Sequence, residues 1–365
     1  MFFAIILKMS LEPFYDPEKS YEENFQQGPF GAFADQEMSR MPLDIKEPKY
    51  DFLGFKVNSP FGIAAGPLIN GKFVKASLDK GFDIPVYKTV RTRKHPCHQW
   101  PNVLPVDVVG NLKPDTGPVH TKANFEDPLS ITNSFGNPSY EPSMWQEDLK
   151  SAVAHAKKGQ IVSASFEGTR WEGYDEEDYI NDWVLGAKLL KETGIHFIEA
   201  NLSCPNEGTT SLLCYDVSKV EKIVNAIKKE IGSFPLVLKT SYFADEDALQ
   251  NLVKRVGNIV DGFASINTIQ ADILDGEGKQ ALPGEDRLRS GVCGASIKWA
   301  GLDMVKKLKK LRKEFGYSYT IIGIGGVTTA DDFFEYRDAG ADVVMSATGA
   351  MWNPYLARDI KERLI

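Results

Sequence analysis

The chain has 365 residues, 42% hydrophobic and 25% charged, which is ordinary globular composition with room for one large core or two domains. A net charge of −8 and a pI near 5.3 argue against nucleic acid or an anionic membrane as partner, although Lys88–Lys94 is a local basic patch. Four scattered cysteines (Cys97, Cys204, Cys214 and Cys293), with no CxxC pair, give neither a disulfide framework nor a zinc or iron–sulfur pattern. They point to a reducing, cytoplasmic compartment.

The opening run Phe2–Leu7 is apolar but too short to span a bilayer, and it lacks the flanks of a signal peptide. Met9 is an alternative start. Residues 10–50 are rich in Pro, Glu, Phe and Tyr without a clean period, so residues 1–50 are read as an extension packed on the core. From residue 51 a rhythm sets in. Short apolar runs are predicted as strands at Phe61–Ala65, Pro85–Val90, Ile161–Ser165, His196–Asn201, Leu236–Thr240, Gly262–Asn267, Tyr319–Ile324 and Asp342–Ala347. Helical patterns lie between them at Tyr174–Glu192, Val217–Ile231, Asp245–Val256, Ile297–Phe315 and Ala330–Ala339. Strands alternating with helices over 51–365 predict an α/β fold, a (β/α)8 TIM barrel. The region 91–130 has little helical pattern and is predicted to be an insertion over the barrel mouth with its own hairpin. Gln270–Ser290, rich in Gly and Asp, is predicted to be a mobile loop. A doubly wound open sheet is the competing architecture, but its GxGxxG turn is missing.

In a barrel the chemistry sits at the C-terminal ends of the strands. Here those ends carry Ala64-Ala65-Gly66, Lys88-Thr89, Asn201, Lys239-Thr240, Asn267-Thr268, Gly323–Gly326 and Ser346–Gly349. The glycine turns after the seventh and eighth strands, each leading into a helix, have the form of a phosphate site. Taken alone, Gly325-Gly326 is equally a tight turn; Ala347-Thr348-Gly349 one unit later favours phosphate. Lys88 and Lys239, one at each of two strand ends, favour an anionic ligand over two lysines merely reaching for water. Between Asn201 and Asn206, Cys204 projects from a loop inside a neutral hydrogen-bonding frame, suited to a planar, polar, uncharged ring. Most buried cysteines are inert, and Cys214 and Cys293 are read that way. The frame sets Cys204 apart. His95-Pro96-Cys97-His98 lacks a distant fourth ligand, and no metal site is assigned.

The run Asn201-Leu-Ser-Cys-Pro-Asn206 resembles the catalytic motif of the class 1 dihydroorotate dehydrogenases, the soluble cysteine-using branch. From about residue 52 onward the chain also shows Ala64-Ala65-Gly66, Lys88-Thr89, Asn133-Ser-Phe-Gly136, Lys239, Asn267-Thr268, Gly291-Val-Cys-Gly294, Gly325-Gly326 and Ala347-Thr348 in the family's order. The resemblance implies an FMN-dependent oxidation of (S)-dihydroorotate to orotate in pyrimidine biosynthesis. In it, Cys204 is the general base at C5 and the C6 hydride passes to flavin N5. It further implies that Lys88, Asn133, Ser134, Phe135, Gly136, Asn137, Asn201, Asn206, Asn267 and Thr268 hold the substrate. Ala64, Ala65, Gly66, Lys88, Thr89, Asn201, Lys239, Ile266, Gly291, Gly294, Gly325, Gly326, Ala347 and Thr348 are implied to hold FMN. A homodimer is implied as well. Asn137 stands where the family usually has leucine, and Thr268 where serine is common.

Two relatives compete for the motif. A dihydropyrimidine dehydrogenase-like enzyme commonly has histidine where Asn206 stands and needs iron–sulfur relays. A dihydrouridine synthase-like enzyme needs a basic RNA-binding surface. The electron acceptor (fumarate, NAD through a partner subunit, or another oxidant) is open at this stage.

Overall fold

The computed structural model describes residues 12–35, 47–203 and 212–365. Cys204 and Asn206 lie outside the described residues, as does most of the segment 36–50.

The chain enters through helix α1 (Tyr21–Gln27), started by a capping box in which Ser20 and Glu23 exchange hydrogen bonds. This N-terminal segment is fastened to the core by its aromatics. Phe14 sits edge-on to Phe33 and Phe73, and its amide donates to the Met351 carbonyl. A tight hairpin, β1 (Tyr50–Phe52) and β2 (Phe55–Val57), turns through Leu53 and Gly54. Phe52 and Val57 pack against Ile84, Phe197 and Val343, near the starts of barrel strands, and so plug the barrel's N-terminal end.

Eight parallel strands then close into a barrel: β3 (Phe61–Ile63), β4 (Ile84–Val90), β8 (Ser163–Phe166), β9 (Ile198–Asn201), β10 (Leu236–Thr240), β11 (Gly262–Ser265), β14 (Thr320–Ile324) and β15 (Val343–Ser346). Closure is made by β15 against β3, with Val344 opposite Phe61. The fold is the expected (β/α)8 barrel, and every strand falls inside or within a residue of its predicted run. The reason is local: fully buried parallel strands read as continuous apolar runs. Helices α4 (Glu176–Lys191), α5 (Val217–Ile231), α6 (Glu246–Val256), α7 (Lys298–Phe315) and α8 (Ala330–Ala339) also match. Helix α5 shows why, burying Val217, Val220, Ile223, Val224, Ile227 and Ile231 at helical spacing. Besides α1, four helices lie outside the predicted patterns: α2 (Gly71–Asp79), α3 (Pro142–His155), the short α9 (Thr348–Trp352) and α10 (Leu356–Leu364).

Over the mouth lies a second closed sheet of five strands: β5 (Val103–Asp107), β6 (Val119–Thr121), β7 (Ser130–Asn133), β12 (Ile269–Leu274) and β13 (Arg289–Gly294). Within 91–130, β5 and β6 pair antiparallel, Val106 opposite Thr121. The segment Gln270–Ser290 differs from its expectation as a loop. Its two ends are strands, β12 and β13, paired from Ile269–Val292 to Asp272–Arg289. Ile269, Ala271 and Ile273 alternate inward in β12, a short pattern obscured by the Gly- and Asp-rich connection that follows. Among the described residues no helix is long and apolar enough to cross a membrane.

Candidate active site

The strand ends and the five-stranded cover enclose two confluent chambers. The deeper one has about 820 Å³ of empty space, counted out to its open mouth, and the outer one about 600 Å³. Lys88, Asn133, Phe135, Asn137, Asn201, Asn267 and Thr268 line both. The deeper chamber is completed by Ala64, Ala65, Gly66, Thr89, Lys239, Ile266, Ala347 and Thr348; Ser134, Gly136 and Gly291 belong to the outer one. Gly294, Gly325 and Gly326 line neither. They stand just behind the wall, next to Cys293 and Ile324, which do line it.

Each wall has a local cause. The first strand ends in small side chains, and a Cβ on Gly66 would project into open space, so the backbone offers a flat surface there. Lys88 is only 5% exposed. Its ammonium donates to the Gly66 carbonyl at 3.2 Å and stands 4.6 Å from the centroid of the Phe135 ring, so it touches both chambers. Lys239 is 3% exposed, at the end of β10, opposite Asn201 of β9. Among the described residues no carboxylate lies within ion-pairing distance of it. A buried ammonium so placed is costly unless an anion joins it.

The amides are fixed by one another. Asn201 Oδ1 accepts from the Ser203 amide (3.3 Å) and hydroxyl (3.0 Å), and Asn267 Nδ2 donates to the same hydroxyl at 2.9 Å. Ser203 therefore ties the two asparagines together, immediately before Cys204. Asn201 Nδ2 reaches Thr89 Oγ1 at 3.4 Å. Asn133 Nδ2 and Thr348 Oγ1 both point at Cys293 Sγ, at 3.5 and 3.3 Å. Burial pushes the Cys293 thiol up, and the Thr348 hydroxyl offsets this only in part. Cys293 was read as an inert core residue, whereas it lies on the cavity wall. Cys214 is wholly buried, with its thiol pushed up to about 12 by burial.

The glycine turns are asymmetric. The helix after the seventh strand, α8, is capped from within. Asp332 Oδ2 accepts from the amides of Thr328 (2.9 Å) and Thr329 (2.8 Å). Burial pushes the Asp332 carboxyl up, but Lys298 and those amides outweigh it and hold it below the usual carboxylate range. Asp332 thus takes the two amides that lead into α8, those of the cap residue and of the residue before it. The Gly325-Gly326 turn remains, as do the Thr348 and Gly349 amides of α9, which have no intrahelical acceptor; the Ala350 amide already donates to Ser346 Oγ at 3.0 Å. Gly326 packs against Gly294, whose carbonyl would lie 3.0 Å from a Cβ at 326.

Several wall residues carry no strong sequence signal. Tyr15, from the N-terminal segment, lines the deeper chamber with a buried hydroxyl that has no hydrogen-bond partner among the described residues. Burial pushes its ionisation far up. Arg287, on the β12–β13 connection, lines the outer chamber. Its N–H groups go to neutral acceptors: Ser134 Oγ and the carbonyls of Gln99, Pro283, Pro101 and Ser134. No described carboxylate pairs with it, so its charge adds to that of Lys88 beside the chamber. His98 also lines this chamber; burial, with Arg287 and Arg91 nearby, pushes its pKa down and keeps it neutral at pH 7. These residues reach the site across long sequence separations, so only tertiary contact reveals them.

A (β/α)8 barrel whose strand ends converge on a lysine-bearing chamber, open to a second chamber lined by amides, has the architecture of a barrel enzyme. Residues 49–365 match the family described as dihydroorotate dehydrogenase, and the chain belongs to it. It is 35% identical over 360 residues to a dihydroorotate dehydrogenase of Dictyostelium discoideum, covering 95% of this chain and 96% of that one. The catalytic subunit of a dihydroorotate dehydrogenase B (NAD(+)) from Thermoplasma volcanium is 28% identical over 299 residues, covering 81% and 84%. Among solved structures, that of DHODH from Eimeria tenella in complex with ferulenol superposes with a TM-score of 0.68 at 17% identity, over 89% and 86% of the two chains; this speaks to the fold.

Proposed function

We propose that the protein oxidises dihydroorotate to orotate with FMN in the deeper chamber, Cys204 serving as the base, as in the class 1 branch. The observation that carries the reading is the confluence of the two chambers at Lys88, Asn201 and Asn267. The residues fit FMN. Ala64–Gly66 give a flat floor, Lys239 is a buried cation without a described counter-ion, and Ala347-Thr348 on the wall, with the glycine turns at Gly294 and Gly325-Gly326 just behind it, would offer backbone amides to a phosphate. Bound FMN supplies the two-electron acceptor for the hydride.

The chain's own residues do the rest. Asn133, Asn201 and Asn267 present amide donors and acceptors to a pyrimidine edge. Bonds through Ser203 fix which way Asn201 and Asn267 face. Lys88 and Arg287 favour a substrate that carries a carboxylate. Cys204 takes the C5 proton as thiolate, so the reaction is expected to speed up as pH rises toward the thiol's pKa.

The test is an anaerobic spectrum. The purified protein should be yellow, and dihydroorotate should bleach it. Absence of flavin would sink the cofactor assignment; flavin that dihydroorotate leaves unbleached would remove the substrate. Cys204→Ala should keep its flavin yet be reduced far more slowly; reduction at the wild-type rate would refute the base assignment.

A further inference from the structure

The loop from Ser134 to Ser139, between β7 and α3, walls the outer chamber, and four of its carbonyls in a row are tied down. Ser134 O accepts from Arg287 Nη2 and Asn102 Nδ2, both at 3.0 Å. Phe135 O accepts from the His98 amide at 3.0 Å. Gly136 O lies 3.5 Å from Arg91 Nη2, and Asn137 O accepts from Arg91 Nε at 3.1 Å. In a trans peptide the N–H points opposite to the C=O. Anchoring these carbonyls therefore turns the amides of Phe135, Gly136 and Asn137 the other way, and all three residues line the chamber. Gly136 and Asn137 have φ of 74° and 47°, a left-handed stretch that glycine and asparagine tolerate best.

Arg91 is itself immobilised. It pairs with Glu167 at 3.2 Å, the two side chains being 3% and 1% exposed. The other Glu167 oxygen accepts from Asn137 Nδ2, so one carboxylate grips both the arginine and the loop. Arg91 Nη1 donates to Thr169 Oγ1, its amide to Ser139 Oγ, and its carbonyl accepts from Trp145 Nε1. A buried ion pair contributes little net stability but holds a geometry firmly. The pair is also neutral as a unit, so it orients the loop without adding to the chamber's charge. An apolar side chain at 137 would leave the second Glu167 oxygen without this donor; the asparagine and the ion pair form one device.

We propose that Arg91, locked by Glu167, is a positioning residue for the substrate: it touches no ligand but, by holding the Gly136 carbonyl, presents the Asn137 amide to the carboxylate of a dihydroorotate-type molecule. This rests on the functional reading above. Orotate is the probe, titrated calorimetrically into the purified flavin-containing protein, with flavin content and Tm recorded alongside. Arg91→Lys keeps the charge but loses the planar fork. It should weaken orotate binding about tenfold, the effect of one to two hydrogen bonds, and raise the KM for dihydroorotate in step. The kcat should change by less than about threefold, because the reacting atoms are untouched. Glu167→Gln preserves shape and should weaken orotate by roughly threefold or more. Orotate affinity of Arg91→Lys within about twofold of wild type would overturn the proposal. If Arg91→Lys loses its flavin or its fold, Glu167→Gln decides by the same twofold limit. Wild-type protein that neither binds orotate nor is bleached by dihydroorotate would instead refute the functional reading, a distinct result.

Discussion

Gly326 tests whether the turn after the seventh strand is a cradle or merely a bend. Replacing it by alanine puts a Cβ 2.6 Å from Lys298 Cβ, 2.9 Å from Lys298 Cα and 3.0 Å from the Gly294 carbonyl. Contacts that short do not occur, and two of the three atoms are backbone, so the turn itself has to move by several tenths of an ångström. The residue also sits at φ 66°, where an L side chain costs about 1–2 kcal/mol. Overpacking adds about 1–3 kcal/mol. The sum, roughly 2–5 kcal/mol, is a large share of the about 5–15 kcal/mol that holds a typical domain together. Gly325 is an internal control. It too has a positive φ, 125°, but a Cβ there meets nothing closer than 3.4 Å. Gly325→Ala should therefore carry at least as much backbone strain, but without the collision. FMN retention after gel filtration and Tm, measured for both variants, separate the two effects. Gly326→Ala should lose flavin and several degrees of Tm, and lose more of both than Gly325→Ala. Equal behaviour of the two variants, or full flavin retention by Gly326→Ala, would refute the cradle.

Lys361→Met should destabilise the protein by about 3–5 kcal/mol in urea unfolding, because it strands Asp83. Asp83 is fully buried, pairs with Lys361 at 2.8 Å, and is pushed up by burial even with that partner present. An unchanged urea midpoint would show that the pair contributes nothing. Burial lowers His95 from the usual 6.5 to about 4, so the unfolded chain takes up this proton first. Stability is therefore complete above about pH 6.5 and is lost as pH falls toward 4; a ring-proton NMR titration with its midpoint at 6 or above would contradict this. Cys214, with its thiol near 12, exposes about one thiolate in ten thousand at pH 8 and should resist iodoacetamide in native protein, as peptide mapping can check.

The sequence by itself determined the barrel. Its eight strands are buried on both faces, so each reads as a short apolar run, and the helices between them keep strict helical spacing on one face. It also determined which polar residues meet at the barrel mouth, since Lys88, Asn201, Lys239 and Asn267 are stranded at the ends of apolar runs, and in a barrel those ends converge. Only the tertiary structure decided what surrounds them. The cover over the mouth is built from segments far apart in the chain, with β13 pairing to β7 and β12 to β6. Such pairings leave no local period to read. Arg91 and Glu167, 76 residues apart, look like two ordinary charges in sequence. They acquire meaning only when burial forces them together, because a charge without water must find its partner wherever the fold has put it. The start of α8 teaches the converse. Its glycine turn looks like an open anion site, and Asp332, in the helix's own first turn, folds back to take the amides of Thr328 and Thr329 just ahead of it.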